Sequence, residues 1–145
     1  MKKQFSIKWK ASKQPRKQRK YRTNAPLHVR RKMMSINLSK ELRKKYGKRN
    51  FPVRNGDNVM IMRGEFKGKT GKINLVNYKK KIVIIDMIYR TKIDKTKISV
   101  KFDPSNLQIK ELNLDDKNRK NALERKSNIV KDKKKSEMEL NKNAS

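Results

Sequence analysis

The chain has 145 residues, 43 of them Lys or Arg and 13 Asp or Glu, for a formal net charge of +30. A charge of that size repels itself in a compact molecule and points to a polyanion as the normal partner, bound chiefly through counterion release from phosphates. Hydrophobic residues make up 33 %, below the ~45–50 % of ordinary globular domains, and the lack of cysteine excludes disulfides and thiolate-held metals.

The charge is uneven. Residues 1–50 carry 19 basic and 1 acidic side chain, residues 51–100 carry 12 and 4, and residues 101–145 carry 12 and 8. Residues 1–50 are therefore read as a basic arm ending in one short helix. Residues 1–38 show no apolar period, and Lys13-Gln-Pro-Arg-Lys-Gln-Arg-Lys-Tyr-Arg contains a proline. Nothing there offsets the backbone entropy of ordering, so this part is expected to be irregular and to fold on its partner. The first residues are basic but lack an apolar stretch, so no signal peptide is expected. Ser39 is a candidate helix cap, Lys40 to Tyr46 have good helix propensity, and Gly47 is placed to stop the helix in a left-handed conformation.

From Phe51 to Leu112 the pattern is that of strands. Val59 and Ile61 share one face of the first, with Met60 and Met62 on the other. Ile73 and Leu75 alternate with polar neighbours, and Val76 and Tyr78 then slip by one, which predicts a bulge. In Lys81 to Tyr89, the face with Val83, Ile85, Met87 and Tyr89 is the expected core face. Ile98, Val100 and Phe102 alternate, and Asp103-Pro-Ser-Asn turns the chain before Leu107 and Ile109. Five short strands over 51–112 without intervening helices predict a mainly β fold, a small closed barrel. Residues 113–145 are read as a C-terminal helix and a disordered tail. Asp115 and Asp116 open that helix, with acid-first pairs Asp115–Arg119 and Asp116–Lys120. Ala122 and Leu123 give it little to pack with, so it is expected to lie on another surface. The segment after Val130 is low in complexity. No apolar run approaches the ~20 residues that span a bilayer, so no membrane insertion is expected.

The sharpest local feature is Val59-Met-Ile-Met-Arg-Gly-Glu-Phe-Lys-Gly-Lys-Thr-Gly-Lys-Ile-Asn-Leu-Val, two strands joined by a glycine-rich loop. Gly64, Gly68 and Gly71 are read as structural, permitting positive φ and close backbone approach, while Lys67, Lys69 and Lys72 line the rim as phosphate contacts. The stretch resembles the KOW motif of small SH3-like barrels, with Gly71 at the defining glycine. The flanks extend the likeness. Asn24-Ala-Pro-Leu-His-Val-Arg-Arg-Lys-Met-Met-Ser, Leu38-Ser-Lys-Glu-Leu-Arg-Lys-Lys-Tyr, Asp103-Pro-Ser-Asn-Leu and Leu114-Asp-Asp-Lys-Asn-Arg-Lys resemble the universal ribosomal protein twenty-four family of the large subunit, in its eukaryotic and archaeal form, which eukaryotes number twenty-six. The resemblance covers roughly residues 20 to 127. Glu65 departs from it by placing an acid in a loop that is usually basic or neutral.

The resemblance implies an SH3-like barrel that binds and stabilises large-subunit rRNA near the nascent-peptide tunnel exit and supports subunit assembly. It implies neighbouring large-subunit ribosomal proteins as partners, nascent-chain factors at the exit as further ones, and no homo-oligomer. The location implied is the cytoplasmic ribosome, with nucleolar transit in a eukaryotic cell. By the same resemblance Asn24, His28, Arg30, Arg31, Lys32 and Ser35 thread along rRNA, and Arg63, Lys67, Lys69 and Lys72 belong to the KOW hairpin. Arg16, Lys17, Arg19 and Arg22 of the arm, Lys40 and Arg43 of the short helix, Lys79, Lys80 and Lys81 of a charged turn, and Arg119 complete the expected RNA contacts. Trp9, Phe5 and Tyr21 are read either as rings that stack on unpaired bases or as an anchor on a protein neighbour.

Catalysis is not expected. His28 is the only histidine, no carboxylate pair stands out, and Gly64-x-x-x-Gly68-x-x-Gly71 lacks the following helix of a nucleotide loop. No cofactor and no metal are expected. A transient KOW-bearing factor and an extra-ribosomal interaction protein are the competing readings, and the lack of tandem KOW repeats weighs against the first.

Overall fold

A computed structural model describes residues 5–125; the tail expected after Val130 lies outside them. The arm is more ordered than its composition suggests. A 3-10 turn over Ile7–Ala11 precedes α1 (Pro15–Asn24) and α2 (Leu27–Met33). Pro15 does not break α1, because it occupies the first helical turn, where its missing N–H has no intrahelical partner to lose. Gln18 Nε2 donates to the carbonyls of Trp9 at 2.8 Å and Ser12 at 2.7 Å, folding the 3-10 turn back onto α1. Tyr21 is buried and stacks on Phe5 with ring centroids 5.2 Å apart. The Tyr21 and Phe5 rings thus meet each other, and buried Tyr21 is an internal anchor of the arm, not a ring open to a base or a neighbouring protein. The irregular arm is likewise corrected: Tyr21 and Ala25 are buried anchors too few to create an apolar period.

The sheet begins at Ser35, so the boundary expected at residue 50 falls within its second strand. In chain order it comprises β1 (Ser35–Leu38), β2 (Asn50–Pro52), β3 (Asn58–Ile61), β4 (Thr70–Asn77), β5 (Ile82–Thr91), β6 (Lys97–Phe102) and β7 (Leu107–Glu111). Helix α3 (Lys40–Tyr46) lies between β1 and β2, and a final helix, α4, occupies 117–125. Helix α3 matches expectation in detail. Ser39 Oγ accepts the Leu42 N–H at 3.3 Å, and Gly47 ends the helix at φ 61°.

The strand order is β2-β1-β7-β3-β4-β5-β6, with β1 and β7 parallel and the other neighbours antiparallel. This is the expected mainly β, SH3-like barrel architecture with helices at its ends. The sheet is not closed, however, which corrects the expectation of full closure. No ladder joins the edge strands β2 and β6. A 3-10 turn at Pro104–Asn106, packed against β1, links β6 to β7.

Ile36, Leu38, Val59, Ile61, Leu107 and Ile109 are fully buried and centre the core on β1, β3 and β7. Leu123 joins them, so α4 packs on the protein's own core and not on another surface. Two register shifts change which face is inward. In β4 the shift lies between Ile73 and Leu75, burying Ile73 and leaving Leu75 exposed. In β5 it lies between Ile84 and Tyr89. Met87 takes φ 61° and is 94 % exposed, while Ile88 turns inward. Val83 and Ile85 therefore keep the expected core face, but Met87 and Tyr89 do not. The extra residue of a bulge reverses the alternation beyond it.

Gly71 also needs correction. It lacks positive φ. A Cβ there would lie 2.6 Å from Ile85 Cγ2 and 3.1 Å from the Asp86 carbonyl oxygen, so its glycine serves the close approach of β4 to β5. Gly64 and Gly68, at φ 91° and 86°, are the loop residues that need positive φ.

Candidate nucleic-acid interface

No acid precedes Glu41, so the cations of α1 and α2 have no carboxylate on their own segment. Arg16, Lys17, Arg19 and Arg22 are exposed on α1, as are His28, Arg31 and Lys32 on α2. The rest of this segment is structural in part. Arg30 is half-buried and donates to the Thr23 carbonyl at 2.5 Å, tying α2 to α1. Ser35 Oγ donates to the Lys32 carbonyl at 2.8 Å. Asn24 is half-buried at the end of α1. The Arg31 guanidinium lies 5.8 Å from the Tyr78 ring centre, bringing α2 to the turn between β4 and β5.

That turn holds Lys79, Lys80 and Lys81. Asn77 Oδ1 accepts the Lys80 N–H at 2.9 Å and shapes it. Lys79 and Lys80 are exposed, whereas Lys81 is half-buried in the left-handed region at φ 57°. Burial first, then the guanidinium groups of Arg22 and Arg30, hold its ammonium below the usual lysine range, with Asp103 opposing them. The turn and the arm therefore share one basic surface, which sequence separation had kept apart.

The KOW hairpin loop is built on backbone bonds. The Gly68 N–H donates to the Ile61 carbonyl at 2.8 Å, and Met62 N–H to the Asn106 carbonyl at 2.8 Å. Phe66 anchors the loop edge-on against Phe102, with centroids 6.1 Å apart. Lys69 Nζ and Arg90 Cζ lie 5.2 Å and 5.9 Å from the Phe66 ring centre. Glu65 pairs with Arg90, so the acid that departs from the family pattern meets an arginine of β5. Arg63, Lys67, Lys69 and Lys72 are all exposed.

Two predicted contacts are otherwise engaged. Arg43 is half-buried, and its Nε donates to the Leu38 carbonyl at 2.8 Å, although Lys40 on the same helix is exposed. Arg119 is corrected outright. Its side chain is 3 % exposed, and its two terminal nitrogens bond both oxygens of buried Asp57, at 2.6 and 2.7 Å. It also donates to the carbonyls of Asn113 at 2.6 Å and Pro52 at 3.2 Å, with its guanidinium beside the Phe51 ring. Asp57 completes the network by accepting the N–H groups of Arg54 and Asn113. The i,i+4 spacing suggested Asp115 as the partner of Arg119, but a buried arginine goes to the buried carboxylate. Asp116 pairs with Arg54 and accepts the Asn118 N–H. Those two contacts, the Asn118 bond foremost, hold its carboxyl below the usual range.

Between the arm and the sheet lies a cavity of about 790 Å³ whose walls include Lys10, Arg22, Lys32, Lys81, Asp103 and Ser105. Sequence reading missed Lys10, which lies in no motif, and took Asp103 and Ser105 only as turn residues. Among the described residues no group of three His, Cys, Asp or Glu side chains could hold a metal. No helix among them is long and apolar enough to cross a membrane.

The family model for the eukaryotic L26 and archaeal L24 ribosomal proteins matches residues 12–126, so its span includes α1 as well as the sheet and α4. The large ribosomal subunit protein uL24 of Methanosphaera stadtmanae is 47 % identical over 115 residues, covering 79 % of this chain and 98 % of the relative. That of Methanosarcina barkeri is 45 % identical over 114 residues, covering 79 % and 98 %. That of Korarchaeum cryptofilum is 45 % identical over 115 residues, covering 79 % and 88 %. On a family match that spans every described strand and helix from α1 to α4, this chain belongs to the eukaryotic L26 and archaeal L24 family of ribosomal proteins.

Proposed function

We propose that the protein is a structural, non-catalytic constituent of the large ribosomal subunit that binds and stabilises its rRNA. The observation that carries this reading is the basic surface that α1 and α2, which hold no acid, form against the Lys79–Lys81 turn, where Asp103 is the one carboxylate of the intervening cavity. Cations gathered without carboxylates are destabilising alone and gain most from a polyanion. The arm, the turn and the KOW hairpin then act as separate phosphate-binding elements on a sheet that fixes their spacing. Arg16, Lys17, Arg19, Arg22, Arg31 and Lys32 hold the arm's RNA, and Arg63, Lys67, Lys69 and Lys72 the hairpin's. In this reading the protein joins early in assembly, sits near the nascent-peptide tunnel exit beside other ribosomal proteins, and resides with the ribosome in the cytoplasm.

Sucrose-gradient sedimentation of a native extract, repeated at raised salt, tests the proposal. One copy per large-subunit RNA, retained at high salt, is expected. A substoichiometric signal that washes away would overturn it and favour a transient KOW factor.

A further inference from the structure

The cavity between arm and sheet combines two kinds of lining. Val29, Met33 and Pro104 contribute apolar lining, and Lys10, Arg22 and Lys81 cationic lining. Its volume of about 790 Å³ falls within the ~300–1,000 Å³ typical of small-ligand sites. Asp103 is its one carboxylate, and its charge offsets part of the repulsion at Lys81. Its Oδ1 accepts the Ser105 N–H at 2.9 Å and the Ser105 hydroxyl at 2.5 Å. The ion pairs Arg54–Asp116, Arg90–Glu65 and Arg119–Asp57 all lie elsewhere and involve none of the three cations.

Lys81 is the informative member. It is a non-glycine residue held at φ 57°, which the chain tolerates only where surrounding structure imposes it. It is also half-buried, with the charges of Arg22 and Arg30 against its own and that of Asp103 in its favour. The left-handed residue closes the β4–β5 hairpin, whereas the clustered charge serves no evident need of the turn. A phosphate beside the cations would relieve the repulsion, and a flat base would find apolar lining in the same cavity. A paired base could not enter a cavity of this kind, because its edge and faces are occupied within the duplex.

We propose that this cavity binds a single unpaired nucleotide of RNA, its phosphate facing Lys81, Arg22 and Lys10 and its base against Val29, Met33 and Pro104. The inference rests on the RNA-binding reading above and adds a shape requirement to it. The arm surface reads charge, whereas the cavity selects a base that has left the helix.

The test uses the full chain, a short RNA duplex with a one-nucleotide bulge, and the same duplex without it. Lys81→Asn removes the charge with a residue that accepts left-handed backbone readily. The wild type is expected to bind the bulged RNA more tightly than the duplex. Lys81→Asn should reduce binding to the bulged RNA by about tenfold, an energy of about 1.4 kcal/mol, and reduce duplex binding by a clearly smaller factor, that of one phosphate contact of the turn. The variant's melting temperature should equal or exceed that of the wild type, since the repulsion is gone. Lys10→Gln, at a cavity residue outside the arm's proposed phosphate contacts, serves as a second variant and should weaken binding to the bulged RNA while leaving duplex binding within about twofold. Equal losses on both RNAs would overturn the proposal and make Lys81 an ordinary phosphate contact, as would no preference for the bulge in the wild type. Because these measurements use isolated protein and RNA, their failure leaves the sedimentation result standing, and the converse also holds.

Discussion

Around the sheet, Arg119 is buried with both terminal nitrogens on Asp57, whereas Arg16, Lys17 and Arg19 of α1 stand in solvent on a segment without any acid. The same residue types thus act in two ways. Near β2, a cation is matched to its partner inside the molecule and joins α4 to the loop before β3. In the arm, cations are gathered away from carboxylates and contribute only when something anionic arrives. The difference follows from what each region can bury. Seven strands supply enough apolar surface to enclose an ion pair, and the arm has little beyond Tyr21 and Ala25. A buried pair joined by two charge-assisted bonds is costly to break even though Arg119 Nε finds no partner, while an exposed cation is nearly neutral for stability.

Substituting Asp57 is the severest way to break this contrast. Asp57→Ala leaves Arg119 buried without its carboxylate and should destabilise the protein by about 3–5 kcal/mol in urea unfolding. The molecules that remain folded should keep the wild-type salt dependence of RNA binding. A fall in that salt dependence would mean the pair also sets the RNA surface.

Gly71→Val comes next, forcing β4 and β5 apart at Ile85 and the Asp86 carbonyl. A loss of about 1–3 kcal/mol in thermal or urea unfolding is expected. If the variant is as stable as the wild type, the approach at Gly71 is not a constraint.

The arm should respond in the opposite sense. Arg16→Gln, Lys17→Gln and Arg19→Gln combined should leave the melting temperature unchanged. The slope of log affinity against log salt should fall by about 0.7–0.9 for each phosphate no longer neutralised. An unaltered slope, measured by fluorescence anisotropy on large-subunit RNA fragments, would place those side chains away from phosphate.

The smallest effect concerns Asp116, which joins the start of α4 to Arg54. Its carboxyl is held below the ordinary aspartate value, so the folded state favours the ionised form. That stabilisation is fully present above the unfolded value and is lost as pH falls through the lowered folded one. Asp116→Asn should therefore lower stability slightly at neutral pH, where that contribution is fully present, and remove the acid-side slope, so that variant and wild type converge at low pH. An unchanged slope would show that the contact carries no linkage.

The elements whose signals are local could be read from the chain itself. Ser39 and Gly47 bracket α3 because a cap and a left-handed stop act within one helical turn. Val59 and Ile61, and Leu107 and Ile109, mark their strands' inner faces because alternation holds wherever a strand is regular. The basic arm and the KOW loop cations were equally plain, since charge and glycine spacing need no tertiary contact to be seen. What only the folded molecule decided was pairing at a distance. The β5 bulge turned Met87 outward and Ile88 inward, and no residue type in that stretch announces such a shift. Gly71 proved to be a packing glycine because its neighbour is Ile85 on another strand. Arg119 left the candidate interface for Asp57, and Lys81 met Arg22 and Arg30, across separations that local spacing cannot span. Periodicity and capping are properties of consecutive residues, but the partner of a buried charge is set by which elements the core brings together.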